Sequence, residues 1–253
     1  MIFGLEFPPI ENLVEWPNGF GSGWYGFNKI ALMSVLAVLF TVILFVLARK
    51  KKMVPTGAQN LAETSVNFIE EGIINQTIGP DGAKYMPFLG ALFFFILFGN
   101  LFEVIPGFQM PANARMANPA IMALTTWVFF ICVGIKSQGP GKYFKGALFP
   151  PGVPVALYIL VTPIELISTF IVRPFSLAVR LFANMLAGHI LLVTFSVLCI
   201  TLFTASLLAL VLPFSFFMLV ALTGFEVMVA FLQAYIFTIL AAVYIGGALH
   251  PEH

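Results

Sequence analysis

Arg180 is the residue of this chain whose type and surroundings most strongly indicate chemistry. It lies in the run PFSLAVRLFANMLAGH, with Ser176 four residues before it and Asn184 four residues after it. Residues four apart share one face of a helix, so these three side chains are predicted to form one polar face. If the run lies inside a membrane, an arginine there costs about 2.5 to 3.5 kcal/mol and indicates a function. The alternative is a structural salt bridge from Arg180 to Glu226 or Glu165.

A second polar group is formed by His189, Glu226 and Gln233. Nine residues separate His189 from Arg180, which places the two side chains about 180° apart around a helix. Glu226 and Gln233 are seven residues apart and share a face, which Tyr244 extends. A carboxylate and an amide in line within an apolar helix suit a water-filled proton route, and a meeting of His189 with Glu226 would give an acid–base pair at neutral pH. The alternative for His189 is a hydrogen-bonded core histidine.

Four further polar or charged residues lie at the ends of apolar runs or within them. Asn100 and Glu103 end one run, where a solvated helix end and a channel role are both open. Glu165 either caps a helix, snorkels to the cytoplasmic surface or takes part in the chemistry. Arg173 lies beside Pro174, where snorkelling is favoured over a direct role.

The composition indicates that all these residues belong to a membrane protein. Of the 253 residues, 60% are hydrophobic, 9% are charged and 29 are Phe, whereas about 25% of the residues of a soluble domain are charged. The 12 basic and 11 acidic residues give a net charge of +1, which excludes the basic surface of a nucleic-acid-binding protein. The high hydrophobic fraction and the low charged fraction also exclude soluble enzymes and disordered proteins. Cys132 and Cys199 lie in apolar runs and are interpreted as small buried hydrophobes, with no disulfide or metal site.

The first part of the chain predicts three spans and one interfacial helix. The 19 uncharged residues between Lys29 and Arg49 can cross a hydrocarbon core of about 30 Å. A basic cluster at 49–52 follows, so the positive-inside rule places the N-terminus outside. The acidic residues of the N-terminal segment argue against a cleavable signal. Residues 58–76 are amphipathic and too polar to span, which predicts a cytoplasmic interfacial helix. The lysines after the third span indicate a second cytoplasmic loop: Lys136, Lys142 and Lys145.

The second part of the chain predicts two long helices. Apolar sequence extends from Val153 to Ala248 with charges embedded in it. One helix over 154–195 would measure about 63 Å and one over 213–249 about 55 Å, roughly twice the bilayer core, so both must tilt strongly. The alternative is conventional breaks at Pro163 and Pro174.

The predicted fold is therefore an all-α integral membrane protein with a single membrane domain. Its segments are an external N-terminal segment (1–28), a first span (29–49), an interfacial helix (58–76), two further spans (85–103 and 116–136) and two long tilted helices forming a C-terminal hairpin (153–196 and 213–249). This arrangement places Arg180 and His189 on the first long helix, and Glu226 and Gln233 on the second.

Two motifs in this hairpin resemble subunit a of the F-type rotary ATP synthase, in its bacterial form. They are RLFANMLAGH at residues 180–189 and LQAYIF at residues 232–237. The resemblance implies that Arg180 faces the carboxylate of each rotor-ring subunit and separates two aqueous half-channels. It also implies roles along the proton pathway: the inlet is lined by Asn184, His189, Glu226 and Gln233, with Asn100 and Glu103 near its mouth. Glu165 and Ser168 would lie at the cytoplasmic outlet. Tyr244 is assigned to this pathway because it shares the helix face of Glu226 and Gln233.

The same resemblance implies the surroundings of the chain. It would be a non-catalytic proton-channel subunit without a cofactor, in a bacterial plasma membrane or, alternatively, a mitochondrial inner membrane. Its partners would be the ring of rotor c subunits, b-type subunits of the peripheral stalk, the rest of the ATP synthase, lipid and protons, but no nucleic acid.

Two other function classes are weaker. A self-contained proton-coupled transporter or ion channel would be expected to contain inverted repeats with matching broken helices, and the two halves show no such correspondence. A quinone- or haem-binding subunit would need paired histidines within spans. His189 alone is placed in the membrane, since His250 and His253 belong to the C-terminal tail.

Overall fold

A computed structural model describes residues 28–48, 57–105, 108, 110–149, 154, 157–203 and 210–249. All the regular structure in these ranges is helical, which confirms the predicted all-α fold. Nearly all of the predicted external segment lies outside the described residues, as do the basic cluster at 49–52 and the histidines at 250 and 253.

The described residues form eight α-helices. They are α1 (Lys29–Leu47), α2 (Ala58–Ile69, continued by a π-helical turn at Glu70–Ile74 and a last α-helical turn at Asn75–Thr77), α3 (Met86–Leu101, preceded by a 3₁₀-helix at Pro80–Tyr85), α4 (Ala117–Gln138), α5 (Pro140–Leu148), α6 (Tyr158–Ile167), α7 (Arg173–Leu202) and α8 (Leu212–Leu249). A second π-helical turn, Ser168–Val172, joins α6 directly to α7.

Five helical segments of the described chain are long and apolar enough to cross a membrane. They are Lys29–Leu47, Pro80–Leu101, Ala117–Gln138, Tyr158–Leu202 and Leu212–Leu249. The last two contain 45 and 38 residues, which correspond to about 68 and 57 Å of helix. Both exceed the roughly 30 Å thickness of a hydrocarbon core, and their strong tilt stays a prediction.

The first long helix continues through both of its prolines. Pro163 lies inside α6, and Pro174 follows the π-helical turn in the first turn of α7. A π-helical turn widens the backbone locally, and proline is tolerated in the first turn of a helix because its missing N–H has no partner there. The alternative of conventional breaks is therefore not what the structure has, and the helix runs to Leu202, past the predicted end at 196.

The core of the bundle surrounds α8, which packs against α3, α4 and α7. Its fully buried members include Leu89, Leu181, Met185 and Ile245. The outward side chains of the spans are also apolar, with α1 an example because Val35, Phe40 and Val46 are exposed. An apolar outer surface on long helices is what contact with lipid requires.

The amphipathic segment packs its apolar stripe inward. Ala62, Ile69 and Ile73 are buried, and the π-helical turn that follows α2 contacts α8. This segment is not among those long and apolar enough to span. Its position at the cytoplasmic membrane surface stays a prediction.

Candidate functional site

A buried acid–base cluster lies between α3, α7 and α8. It consists of Glu103, in the turn after α3, with His189 on α7 and Glu226 on α8, and each residue is at most 5% exposed. The Nδ1 of His189 is 3.7 Å from Oε1 of Glu103. Oε1 of Glu103 and Oε2 of Glu226 are both buried without a hydrogen-bond partner among the described residues. Buried acids with unsatisfied oxygens are uncommon in a packed interior and call for a reason.

Glycine at position 188 makes the space for Glu226. A side chain carbon added to Gly188 would overlap the carboxylate of Glu226, with 2.5 Å to its Cδ and Oε1 atoms. The acid therefore packs directly against the backbone of α7, next to His189. α7 and α8 therefore meet at Gly188 and Glu226, and Glu103 adds a second acid there.

The position of Glu103 favours its protonated form. It lies beyond the end of α3, where burial, followed by the negative charge of Glu226, raises the pKa of Glu103 from its ordinary value of 4.5 to about 8. Desolvation and a like charge both disfavour an ionised carboxylate. Glu103 can therefore gain and lose a proton close to neutral pH.

Three amide side chains, two of them fully buried and one half-buried, lie at the end of α3 and between α3 and the start of α4. Asn100 and Asn113 are both fully buried, and Nδ2 of Asn113 donates to Oδ1 of Asn100 at 2.7 Å. Nδ2 of Asn118 donates to the hydroxyl of Ser34 on α1 and to the carbonyl of Ala112. The solvated-end alternative for Asn100 and Glu103 is thus wrong.

Asn113 and Asn118 were missed by the sequence reasoning. Asn113 stands in the connection before α4 and Asn118 in the first turn of α4, and nothing in the local pattern separates either from an ordinary loop residue. The one signal was the clustering of Asn and Pro in this connection.

Arg180 and Asn184 lie on the opposite side of α7 from His189. Both are exposed, whereas His189 is buried. Within the described part of the chain the Arg180 guanidinium forms no ion pair, so the alternative of a salt bridge to Glu226 or Glu165 is not found there. Its backbone carbonyl accepts a hydrogen bond of 3.0 Å from Nε2 of Gln233, which is buried on α8. The structure thus anchors the backbone at Arg180 and leaves its charged group outward.

The remaining candidate residues lie at or beside an open cavity near the C-terminal ends of α4 and α8. It has a volume of about 960 Å³, and its lining includes Glu165, Arg173 and Tyr244. The guanidinium carbon of Arg173 lies 5.3 Å from the centre of the Tyr244 ring, a cation–π geometry. Ser168 is half-buried and begins the π-helical turn but does not line the cavity.

Two local features shape this cavity. Gly139 adopts φ +82°, a left-handed conformation that favours glycine, and so reverses the chain between α4 and α5. Nε1 of Trp127 on α4 donates to the carbonyl of Thr169 at 3.3 Å, which ties α4 to the π-helical turn. The turn thus holds Glu165 and Arg173 at the wall of the cavity.

The fold and these sites together define a helical integral membrane protein with titratable groups enclosed between its spans and an outward arginine on one of them. Within the described residues, no group of three or more His, Cys, Asp or Glu side chains is arranged to hold a metal ion.

Comparison with known proteins gives the family. Residues 30–246 match the family model for the ATP synthase A chain. The chain is 46% identical to ATP synthase subunit a of Frankia alni, over 97% of this chain and 87% of that protein. It is 43% identical to the same subunit of Rhodococcus erythropolis (87% and 80% covered) and 38% identical to that of Maricaulis maris (90% of each).

The chain therefore belongs to the ATP synthase A chain family, as a membrane subunit of a proton-translocating F-type ATP synthase. This confirms the resemblance of the two hairpin motifs and favours it over the transporter and cofactor-binding alternatives.

Proposed function

We propose that this chain is the stationary proton-conducting subunit of the synthase, in which Arg180 faces the carboxylates of a rotor ring and divides two aqueous half-channels. The observation that carries the proposal is the difference between the two sides of α7. Arg180 is exposed on one side with no ion pair among the described residues, and the acid–base cluster is enclosed on the other. An unpaired guanidinium on the apolar outer surface of a span is stabilised by an acid on another protein.

The inlet half-channel runs through the buried cluster. Protons from outside pass the amides at Asn100 and exchange at Glu103, His189 and Glu226. Two carboxylates and an imidazole within one small space can transfer a proton at neutral pH, since the pKa of Glu103 is about 8. Gln233 and Asn184 then lead toward the ring-facing side of α7.

The outlet half-channel uses the open cavity. Glu165 and Tyr244 line this cavity, and Ser168 lies at the π-helical turn beside it. Lys136 near the end of α4, with Lys142 and Lys145 on α5, supports a cytoplasmic position for the cavity by the positive-inside rule. A proton released from the ring on this side reaches water through a space of about 960 Å³.

Arg180 couples the two half-channels to rotation. Arginine stays charged at any physiological pH, so it stabilises an approaching ring carboxylate in its ionised form and obliges that carboxylate to release its proton. The same positive charge opposes the direct passage of protons between inlet and outlet. Each proton crossing 100 mV provides about 2.3 kcal/mol, which the ring converts into rotation.

The face around Arg180 suits close packing by the helices of the ring. Ala183, Asn184 and Ala187 are exposed beside it, and small residues allow helices in membranes to approach closely. The c subunits are thus proposed to pack on this face of α7. The b-type subunits of the peripheral stalk are proposed to hold the chain against rotation, in a bacterial plasma membrane with the N-terminus outside.

The test is Arg180→Ala in the assembled synthase. ATP-driven proton pumping into inverted vesicles is expected to be lost, because ring carboxylates no longer have a cation that keeps them ionised. The matched control is Lys136→Ala, which removes an exposed cation from the end of α4 and should leave pumping intact. Both complexes are checked for a full set of subunits. Normal pumping by assembled Arg180→Ala complexes would remove the proposal.

A further inference from the structure

The open cavity carries an unbalanced positive charge. Lys142, Lys145 and Arg173 line it, whereas Glu165 is the one acidic residue that lines it in the described part of the chain. None of these four side chains forms an ion pair within the described ranges. Like charges gathered in one space repel one another, so a negatively charged group placed there is attracted by all three cations.

The cations are positioned to converge on one group. Lys142 and Lys145 are three residues apart on α5 and share a face of that helix. Arg173 reaches the same space from the start of α7 and is held on the ring of Tyr244. Burial raises the pKa of Tyr143, and the positive charge of Arg173 opposes that rise, so this charge acts on the inner side of α5.

The shape and lining of the cavity indicate which anion fits. A volume of about 960 Å³ is large enough for a phosphate with an attached glycerol unit. The lining is also partly apolar, since it includes Phe149, which is 43% exposed, and Leu249. A lining with both cationic and apolar residues, at the end of membrane spans, matches a molecule with an anionic head and hydrocarbon chains.

We propose that this cavity binds the phosphate group of an anionic phospholipid, with Lys142, Lys145 and Arg173 as its charge partners. Basic pockets between spanning helices bind such headgroups, and surface lysines and arginines each add to the attraction. The guanidinium of Arg173 offers planar paired donors to a phosphate, and the lysines act as point charges. The site shares the cavity proposed above as the outlet, but it is argued from charge and shape and does not rest on the proton route.

The test measures phosphatidylglycerol retained by the intact synthase. Complexes are reconstituted in phosphatidylcholine vesicles containing phosphatidylglycerol, washed in mild detergent and analysed by mass spectrometry for bound lipid. Lys142→Gln with Lys145→Gln should weaken retention about fivefold for each lysine removed. The control Lys136→Gln removes an exposed cation at the end of α4 that does not line the cavity, and this variant should retain lipid as the wild type does.

Further arms identify the source of the phosphate and separate folding from binding. Retention of the lipid in millimolar inorganic phosphate supports the proposal, whereas displacement by inorganic phosphate assigns the site to a soluble anion and overturns the lipid. Lys142→Arg with Lys145→Arg keeps the charge and should restore retention. Equal retention by the wild type and the double Gln variant, or an equal loss with Lys136→Gln, would also overturn the proposal. Proton pumping is recorded in parallel, so that a defect in pumping with lipid retained concerns the proton route alone.

Discussion

The acid–base cluster and the open cavity both include residues of the two long helices, yet they differ in both access and charge. Glu103 and Glu226 are almost fully enclosed and bring two carboxylates together. The cavity is open and gathers three cations around one acid. Enclosed acids are costly unless they hold protons, whereas cations in an open space remain hydrated. The comparison indicates that protonation is controlled in the cluster, and that counter-charge is collected at the cavity.

The largest expected effect that separates the two regions follows from Gly188→Ala. The new methyl group occupies the place of the Glu226 carboxylate and displaces it, while the flexible glutamate arm adapts with little loss of stability. Proton conductance of vesicles containing the membrane part of the synthase should fall about a hundredfold, as expected for a misplaced reacting group.

Two variants accompany Gly188→Ala. Gly224→Ala, on α8, adds a methyl group that meets nothing, and it should conduct as the wild type does. Glu226→Asp introduced together with Gly188→Ala shortens the acid and should restore part of the conductance. A Gly188→Ala variant with unchanged conductance would mean that the cluster is not on the proton route.

The effect of Glu103→Gln is expected to be smaller than that of Gly188→Ala, and Glu165→Gln serves as its control. Because the pKa of Glu103 is about 8, its carboxyl holds a proton below that pH and is ionised above it. Passive proton conductance of the wild type should therefore change near pH 8. His189 and Glu226 are the other titratable side chains that face the Glu103 carboxyl. In Glu103→Gln this transition should disappear and conductance should fall severalfold.

The cavity acid provides the matched control for that pH profile. Glu165→Gln is expected to keep the transition near pH 8, because Glu165 lies at the open cavity rather than in the cluster. A transition of the same size in Glu103→Gln would assign it to another group and break the contrast between the two regions.

The smallest effect concerns the ring that supports Arg173. Tyr244→Leu removes the cation–π contact and should destabilise the purified complex by about 0.5 to 1 kcal/mol, measured by thermal unfolding in detergent. Tyr244→Phe keeps the ring and should leave stability unchanged. Equal losses in both variants would mean that the hydroxyl group, and not the ring, holds the arginine in place.

Particular residues show how far the sequence could be followed. Helical periodicity alone predicted that Arg180 and His189 point to opposite sides, and the structure has one exposed and the other buried. The buried position of Asn100 and its bond to Asn113 were not predictable, because the two amides are thirteen residues apart and meet only where the connection folds back. The π-helical turn at Ser168–Val172 left no recognisable sequence pattern either.

The order of the spans, the membrane environment and the family motifs were determined by the sequence itself, because hydropathy, charge and helical spacing act within a segment. Tertiary structure alone decided that Glu103 joins His189 and Glu226, since three helices far apart in the chain must pack before these side chains are enclosed together. It also decided that Lys142, Lys145 and Arg173 surround one space, for the same reason: the position of a charge relative to distant charges is a property of packing.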